Sequence, residues 1–198
     1  SNLRRQRQMC IRDSLDFELT GSQQLSLREI VDDFISENPM NRMIQGDVGC
    51  GKTIVSILAS SIVVDNDYQV GIMAPTDLLS KQLYKNFKSY FEAIGIKCSL
   101  LVGSLKPKDK DKVLKDIKLG ESNIIIGTHA LFQKDVQFHN LGFVVIDEQH
   151  RFGVNQRQKL LSKSTNPNLM AMTATPIPRT LAITCLLYTS DAADEGSS

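Results

Sequence analysis

From residue 22 to residue 36 the apolar positions recur at helical intervals, so that Leu27, Ile30, Val31 and Phe34 share one face. The spacing predicts a helix, and Pro39 stops it. A short apolar run, Met43-Ile44, leads into a glycine-rich loop, and a second helical stretch runs from Lys52 to about Val64. Beyond it the pattern alternates. Strand-like residues 69–74 precede a helix over 77–91, with Leu79, Leu83, Phe87 and Tyr90 suitably spaced. Strand-like residues 98–102 precede a helix over 107–119, and apolar runs follow at 123–126, 143–146 and 169–172. Runs such as NIII and FVVI lack in/out alternation, which suits strands covered on both faces of a parallel sheet. Strand–helix alternation of this kind predicts an α/β doubly wound domain.

The two ends do not continue the pattern. Residues 4–14, RRQRQMCIRDS, and 185–195, CLLYTSDAADE, show no periodicity that fits a further element. The codons TGT CTC TTA TAC ACA TCT encode CLLYTS, and the reverse complement, read one frame along as ATG TGT ATA AGA GAC, encodes MCIRD. Opposite strands of one oligonucleotide can therefore encode both peptides, which looks like a translated library adaptor; the alternative is a chance match allowed by codon degeneracy. The expectation is a non-native extension at 1–14, one α/β domain at 15–184 and a non-native tail at 185–198.

Composition changes this picture little. The chain has 198 residues, 41% hydrophobic and 23% charged, with a formal net charge of +1. A nucleic-acid partner would therefore have to meet a local surface and not bulk charge. The longest apolar run, residues 54–64, is broken by serines and is too short to span a bilayer. Cys10, Cys50, Cys98 and Cys185 are scattered, with no CxxC pair to suggest zinc or a redox site, so a reducing cytoplasm is expected.

Three segments carry candidate chemistry. GDVGCGKT, residues 46–53, fits G-x-x-x-x-G-K-[ST] in full. Gly46, Gly49 and Gly51 let the backbone wrap a phosphate chain with its N–H groups turned inward, and the helix start adds its positive dipole end. Lys52 would reach the β- and γ-phosphates, and the Thr53 hydroxyl would help hold Mg²⁺. In FVVIDEQH an apolar strand ends in Asp147-Glu148, at the end of a parallel strand where ligands sit. Asp147 is placed to bind Mg²⁺ through water, and Glu148 to orient or deprotonate an attacking water. MTATPIPRT, residues 172–180, follows another apolar run with Thr173, Thr175 and two stiffening prolines. Those hydroxyls could feel a γ-phosphate, or the segment could be a plain Thr/Pro turn.

Taken with MAPTDLLSKQ, VGSLK, GTHAL and VVIDEQHRFGVNQR, these segments resemble the first motor domain of a superfamily 2 helicase over roughly residues 17–184. The similarity is to bacterial ATP-dependent DNA helicases that remodel branched DNA, such as forks and Holliday junctions, in recombination and repair. The resemblance implies a RecA-like P-loop NTPase domain, a mostly parallel sheet with helices on both faces, using ATP and Mg²⁺. It implies that Gln23, in FELTGSQ with Phe17, contacts the adenine edge, where an amide is geometrically suited. Pro75 and Thr76, Gly103 and Ser104, and Thr128 and His129 match segments lining the nucleic-acid path. His150, Thr173, Thr175 and Arg179 match residues coupling the nucleotide site to DNA. It further implies a second RecA-like lobe, with an arginine finger worth roughly 10³–10⁵ in rate in comparable systems, and a wedge domain, both from the same parent chain. This chain is then expected to be the first lobe only, cytoplasmic, without membrane contact, binding ATP weakly with little hydrolysis. Two alternatives stand beside this reading: a non-catalytic P-loop module, and the related transcription-repair coupling translocase. The run at 106–118 alternates lysine with aspartate and reads first as a solvated helix face, second as a DNA contact.

Overall fold

The computed structural model describes residues 18–46, 51–147, 159, 162–163 and 167–174. Both suspected extensions lie outside the described residues.

The first helix, α1 (Gly21–Ile35), starts at Thr20, whose hydroxyl accepts the Gln23 N–H while the Gln23 side chain accepts the Thr20 N–H. This reciprocal pair satisfies two of the donors a helix start leaves orphaned. α1 ends well before Pro39. Ser36 is already extended, and its N–H closes the last turn on the Asp32 and Asp33 carbonyls. The chain continues as β1 (Asn41–Gln45), α2 (Lys52–Asp65), β2 (Gln69–Met73), α3 (Asp77–Phe91), β3 (Cys98–Leu101), α4 (Pro107–Leu119), β4 (Ile124–Gly127), β5 (Leu141–Asp147) and β6 (Asn168–Thr173). Two short 3₁₀ turns, Glu92–Ile94 and His129–Phe132, lie among them.

The strands form one six-stranded sheet in the order β1-β6-β5-β2-β4-β3, and every pairing is parallel. From β1 to β2 to β3 the chain travels one way across the sheet; after β3 it turns back through β4, β5 and β6. Right-handed crossovers then place α2 and α3 on one face and α4 on the other. The two cores have that composition. Ile124, Ile126, Phe143 and Val145 pack with Ile57, Phe87 and Ile30, whereas Ile125, Val144 and Ile146 pack with Ile117 and Leu131. The NIII and FVVI runs lack alternation because each successive side chain meets a different apolar layer.

α2 is buried nearly all round, since it lies under α1 as well as on the sheet. Its serines allow the close approach: Ser61 donates to the Leu58 carbonyl at 2.7 Å. On α3, Phe87 and Phe91 stack at 6.0 Å between ring centroids, and both are essentially inaccessible. Burial of a phenylalanine of this kind contributes about 1.5–3 kcal/mol.

Candidate nucleotide and nucleic-acid site

In an all-parallel sheet every loop that follows a strand emerges at the same edge, and this carboxyl edge gathers the sequence-predicted residues. The strand order also sorts them. The ends of β1, β6 and β5, which lead into the phosphate and metal candidates, lie side by side, and the segments after β2, β4 and β3 carry the nucleic-acid candidates.

On the first half, β6 lies between β1 and β5. Gln45 pairs in register with Thr173, and Met172 with Asp147 on its other side. The Gly46 N–H donates to the Thr173 carbonyl at 3.2 Å, so the phosphate loop begins with its first residue bonded to the end of β6. Two strand spacings set β1 and β5 about 10 Å apart. That leaves Asp147, the candidate metal residue at the end of β5, one strand away from Gly46, which follows the end of β1.

The loop closes at Gly51, which caps α2 in the left-handed region at φ 81°. A Cβ there would overlap the Gln23 side-chain nitrogen. The left-handed backbone is what calls for glycine here, and the absent side chain leaves room for the Gln23 carboxamide. Lys52 follows, and its ammonium donates to the Gly46 carbonyl at the loop's other end, within the loop it would share with phosphate oxygens. Thr53 is in the first turn of α2 and half-buried. Ser56, one turn on, donates to the Lys52 carbonyl at 3.0 Å and lies 2.8 Å from the Met172 sulfur, which pins this turn to β6.

Gln23 is the residue expected at the adenine edge. Its carboxamide is buried, its oxygen accepts the Thr20 N–H at 2.9 Å, and its nitrogen lies against Gly51. The start of α1 is thus fastened to the phosphate loop through Gln23. Thr20 was not singled out from sequence, although Thr20-x-x-Gln23 is a capping-box spacing.

The residues present fit a nucleotide and its metal. The loop offers backbone donors, a cation and a helix start to phosphate. Thr53 and Asp147 offer the hard oxygens Mg²⁺ prefers, of which it needs only one or two from protein. Among the described residues no group of three or more His, Cys, Asp or Glu is gathered as a metal cluster. Gly49, Glu148, His150, Thr175 and Arg179 lie outside the described residues, as does Cys50.

On the second half, the Ala74 N–H bonds the Gly127 carbonyl at 2.9 Å and so ties the ends of β2 and β4 together. Pro75 and Thr76 follow; Thr76 is exposed and caps α3 by accepting the Leu79 N–H at 3.2 Å. Gly103 and Ser104 are exposed in a turn closed by Leu105 N–H to the Val102 carbonyl at 3.3 Å. Thr128 and His129 part company. Thr128 is buried and its carbonyl starts the 3₁₀ turn, whereas His129 is exposed. Gly127 is needed where it stands, because a Cβ would overlap the Leu101 carbonyl of β3. Away from this edge, burial pushes the Cys98 thiol up to about 12, with Glu92 adding to the shift, so it stays protonated and unreactive at neutral pH.

A parallel sheet with a glycine-lysine-threonine loop after its first strand, one strand from a terminal aspartate, defines a RecA-like P-loop nucleotide-binding domain. The DEAD/DEAH box helicase family model matches residues 20–183, and the chain belongs to that family. It is 50% identical over 173 residues to the ATP-dependent DNA helicase RecG of Aquifex aeolicus, covering 86% of this chain and 22% of that protein. The RecG of Streptococcus pneumoniae is likewise 50% identical, over 88% of this chain and 26% of its own length. Among solved structures, RecG bound to a three-way DNA junction superposes with a TM-score of 0.77 at 41% identity, over 88% of this chain and 23% of that one. The chain thus spans about a quarter of the length of these relatives. No helix among the described residues is long and apolar enough to cross a membrane.

Proposed function

We propose that this domain is the ATP-binding lobe of a RecG-type DNA helicase acting on branched DNA in the bacterial cytoplasm. The observation that carries the reading is the Gly46–Thr173 bond with Asp147 in register beside it. It ties together Gly46, Thr173 and Asp147, the residues that open the phosphate loop, the TATP segment and the DEQH segment. ATP with Mg²⁺ supplies a phosphoanhydride bond activated for attack by water.

The chain's own residues bind and orient. Gly46, Gly49 and Gly51 would present N–H groups to the phosphates, Lys52 would supply a positive charge, and Thr53 and, through water, Asp147 would hold Mg²⁺. Gln23, packed on Gly51, fixes the adenine-side segment against the loop. Glu148 accepts a proton from water. Thr173 reports loss of the γ-phosphate through the Gly46 bond, with His150, Thr175 and Arg179 passing the change towards DNA. Thr76, Gly103, Ser104 and His129 offer exposed N–H, hydroxyl and imidazole groups to phosphate oxygens of the tracked strand, and Pro75 stiffens the start of that path. The buried Thr128 acts by holding His129 outward.

Full turnover needs a second RecA-like lobe, and fork splitting a wedge domain, in a longer chain carrying this lobe. The test is ATP hydrolysis by such a chain with and without a forked duplex. Forked DNA should stimulate hydrolysis, and Glu148→Gln should abolish the stimulation while ATP still binds. Hydrolysis indifferent to DNA, or undiminished in Glu148→Gln, would contradict the reading and favour a non-catalytic nucleotide module.

A further inference from the structure

A formal net charge of +1 hides an uneven distribution. α1, beside the β1 edge, carries Glu29, Asp32 and Asp33 against Arg28, whereas α4, beside the opposite β3 edge, is rich in lysine. At 100° per residue, Lys108, Lys112 and Lys115 fall on one stripe of α4, opposite the side formed by Val113, Leu114 and Ile117. All three lysines are exposed.

The neighbouring charges are already engaged. Lys110 pairs with Asp135 at 2.9 Å, and Asp116 pairs with Lys97 at 2.7 Å. Asp109 and Asp111 fall to either side of the stripe, and Lys112 sits in the field of Asp116. Among the described residues, none of the three stripe lysines is within ion-pair distance of an acid.

We propose that this stripe binds the phosphate backbone of a duplex DNA arm outside the motor cleft. The inference rests on the DNA-helicase reading above and extends it to a second contact. α4 begins directly after the exposed Gly103-Ser104 turn, so the stripe continues outward from the strand-tracking edge. Its three charges span about 10 Å of rigid helix. Duplex DNA offers one negative charge per about 1.7 Å of axis, so several phosphates lie within reach of a straight stripe. Lysine on a helix face reads charge and not sequence, as a protein sliding along DNA requires.

The experiment measures anisotropy of a short fluorescein-labelled blunt duplex titrated with this chain, across a salt series. It compares the wild type with Lys108→Ala/Lys112→Ala/Lys115→Ala and with a charge-matched control, Lys81→Ala/Lys85→Ala/Lys88→Ala, on α3 at the other face of the sheet. Alanine keeps both helices, which circular dichroism verifies. The stripe variant should bind about tenfold more weakly at low salt, with a log–log salt slope flatter by about two to three. The control should stay near wild type. Equal losses in both triples would mean that only net charge matters and would overturn the stripe, as would an unchanged stripe variant. Absence of duplex binding by the wild type would sink the stripe, and a missing response of ATP hydrolysis to forked DNA in the longer chain would sink the helicase reading itself.

Discussion

Gly51 concentrates the constraints of the site in one residue. Its φ of 81° is one that L side chains rarely adopt, and the Gln23 carboxamide fills the space a Cβ would need. Gly51→Ala should therefore cost stability by roughly 1–3 kcal/mol from backbone strain. It should also push Gln23 off the loop and weaken nucleotide binding by more than the fold loses. Thermal unfolding and titration with a fluorescent ATP analogue check the two parts separately, and an alanine variant with unchanged nucleotide affinity would contradict the contact. At this scale the sequence was informative where chemistry is local. The loop glycines, Lys52, Thr53 and Asp147 stand out in the sequence as candidates because phosphate and metal binding would demand those types at that spacing. Gln23 was legible as a residue but not in its contact, since its packing on Gly51 joins segments far apart in the chain. Thr128 and His129 look alike in GTHAL, and only the fold buries one and exposes the other.

Elements were readable where a side-chain pattern repeats. α3 announces itself through Leu83 and Phe87 on one face, and β4 and β5 through apolar runs that two cores cover. Ends were less readable because caps decide them. α1 stops at Ile35 on the Ser36 cap, ahead of the proline that the pattern pointed to. The 3₁₀ turn at His129–Phe132 has no period to betray it, being held by the Leu131 N–H on the Thr128 carbonyl. Salt bridges between elements were invisible, and Lys97–Asp116, which ties the start of β3 to α4, is one with a measurable consequence. The Lys97 hydrogen bond holds the Asp116 carboxyl below its usual range, against an opposing push from burial. A depressed folded-state value stabilises the fold above the ordinary carboxylate pKa, about 3.9, and that contribution disappears as pH falls through the lowered value. Denaturant unfolding of the wild type and Asp116→Asn from neutral to acid pH should show a stability gap that is constant above about 4 and closes below it. A gap independent of pH would refute the assignment.

For the whole molecule, strand order converts a list of motifs into a site. Alternating elements in the sequence indicate a doubly wound parallel sheet, but not that β6 comes to lie between β1 and β5. That order brings the last strand between the phosphate loop and Asp147, and it leaves the nucleic-acid segments together on the β2-β4-β3 half. The candidate nucleotide and nucleic-acid segments thus share a common edge of one sheet, with Thr173 at the boundary on the nucleotide side. A lobe built this way is expected to bind ATP weakly by itself and to need a partner lobe for rapid turnover. Isothermal titration of this chain with ATP in the presence of Mg²⁺, alongside Lys52→Ala, tests that claim most directly. Saturable one-to-one binding that depends on Mg²⁺, and weakens at least about tenfold when the charge-assisted contacts of Lys52 are removed, is the predicted result. No binding by the wild type, or equal binding by Lys52→Ala, would contradict it.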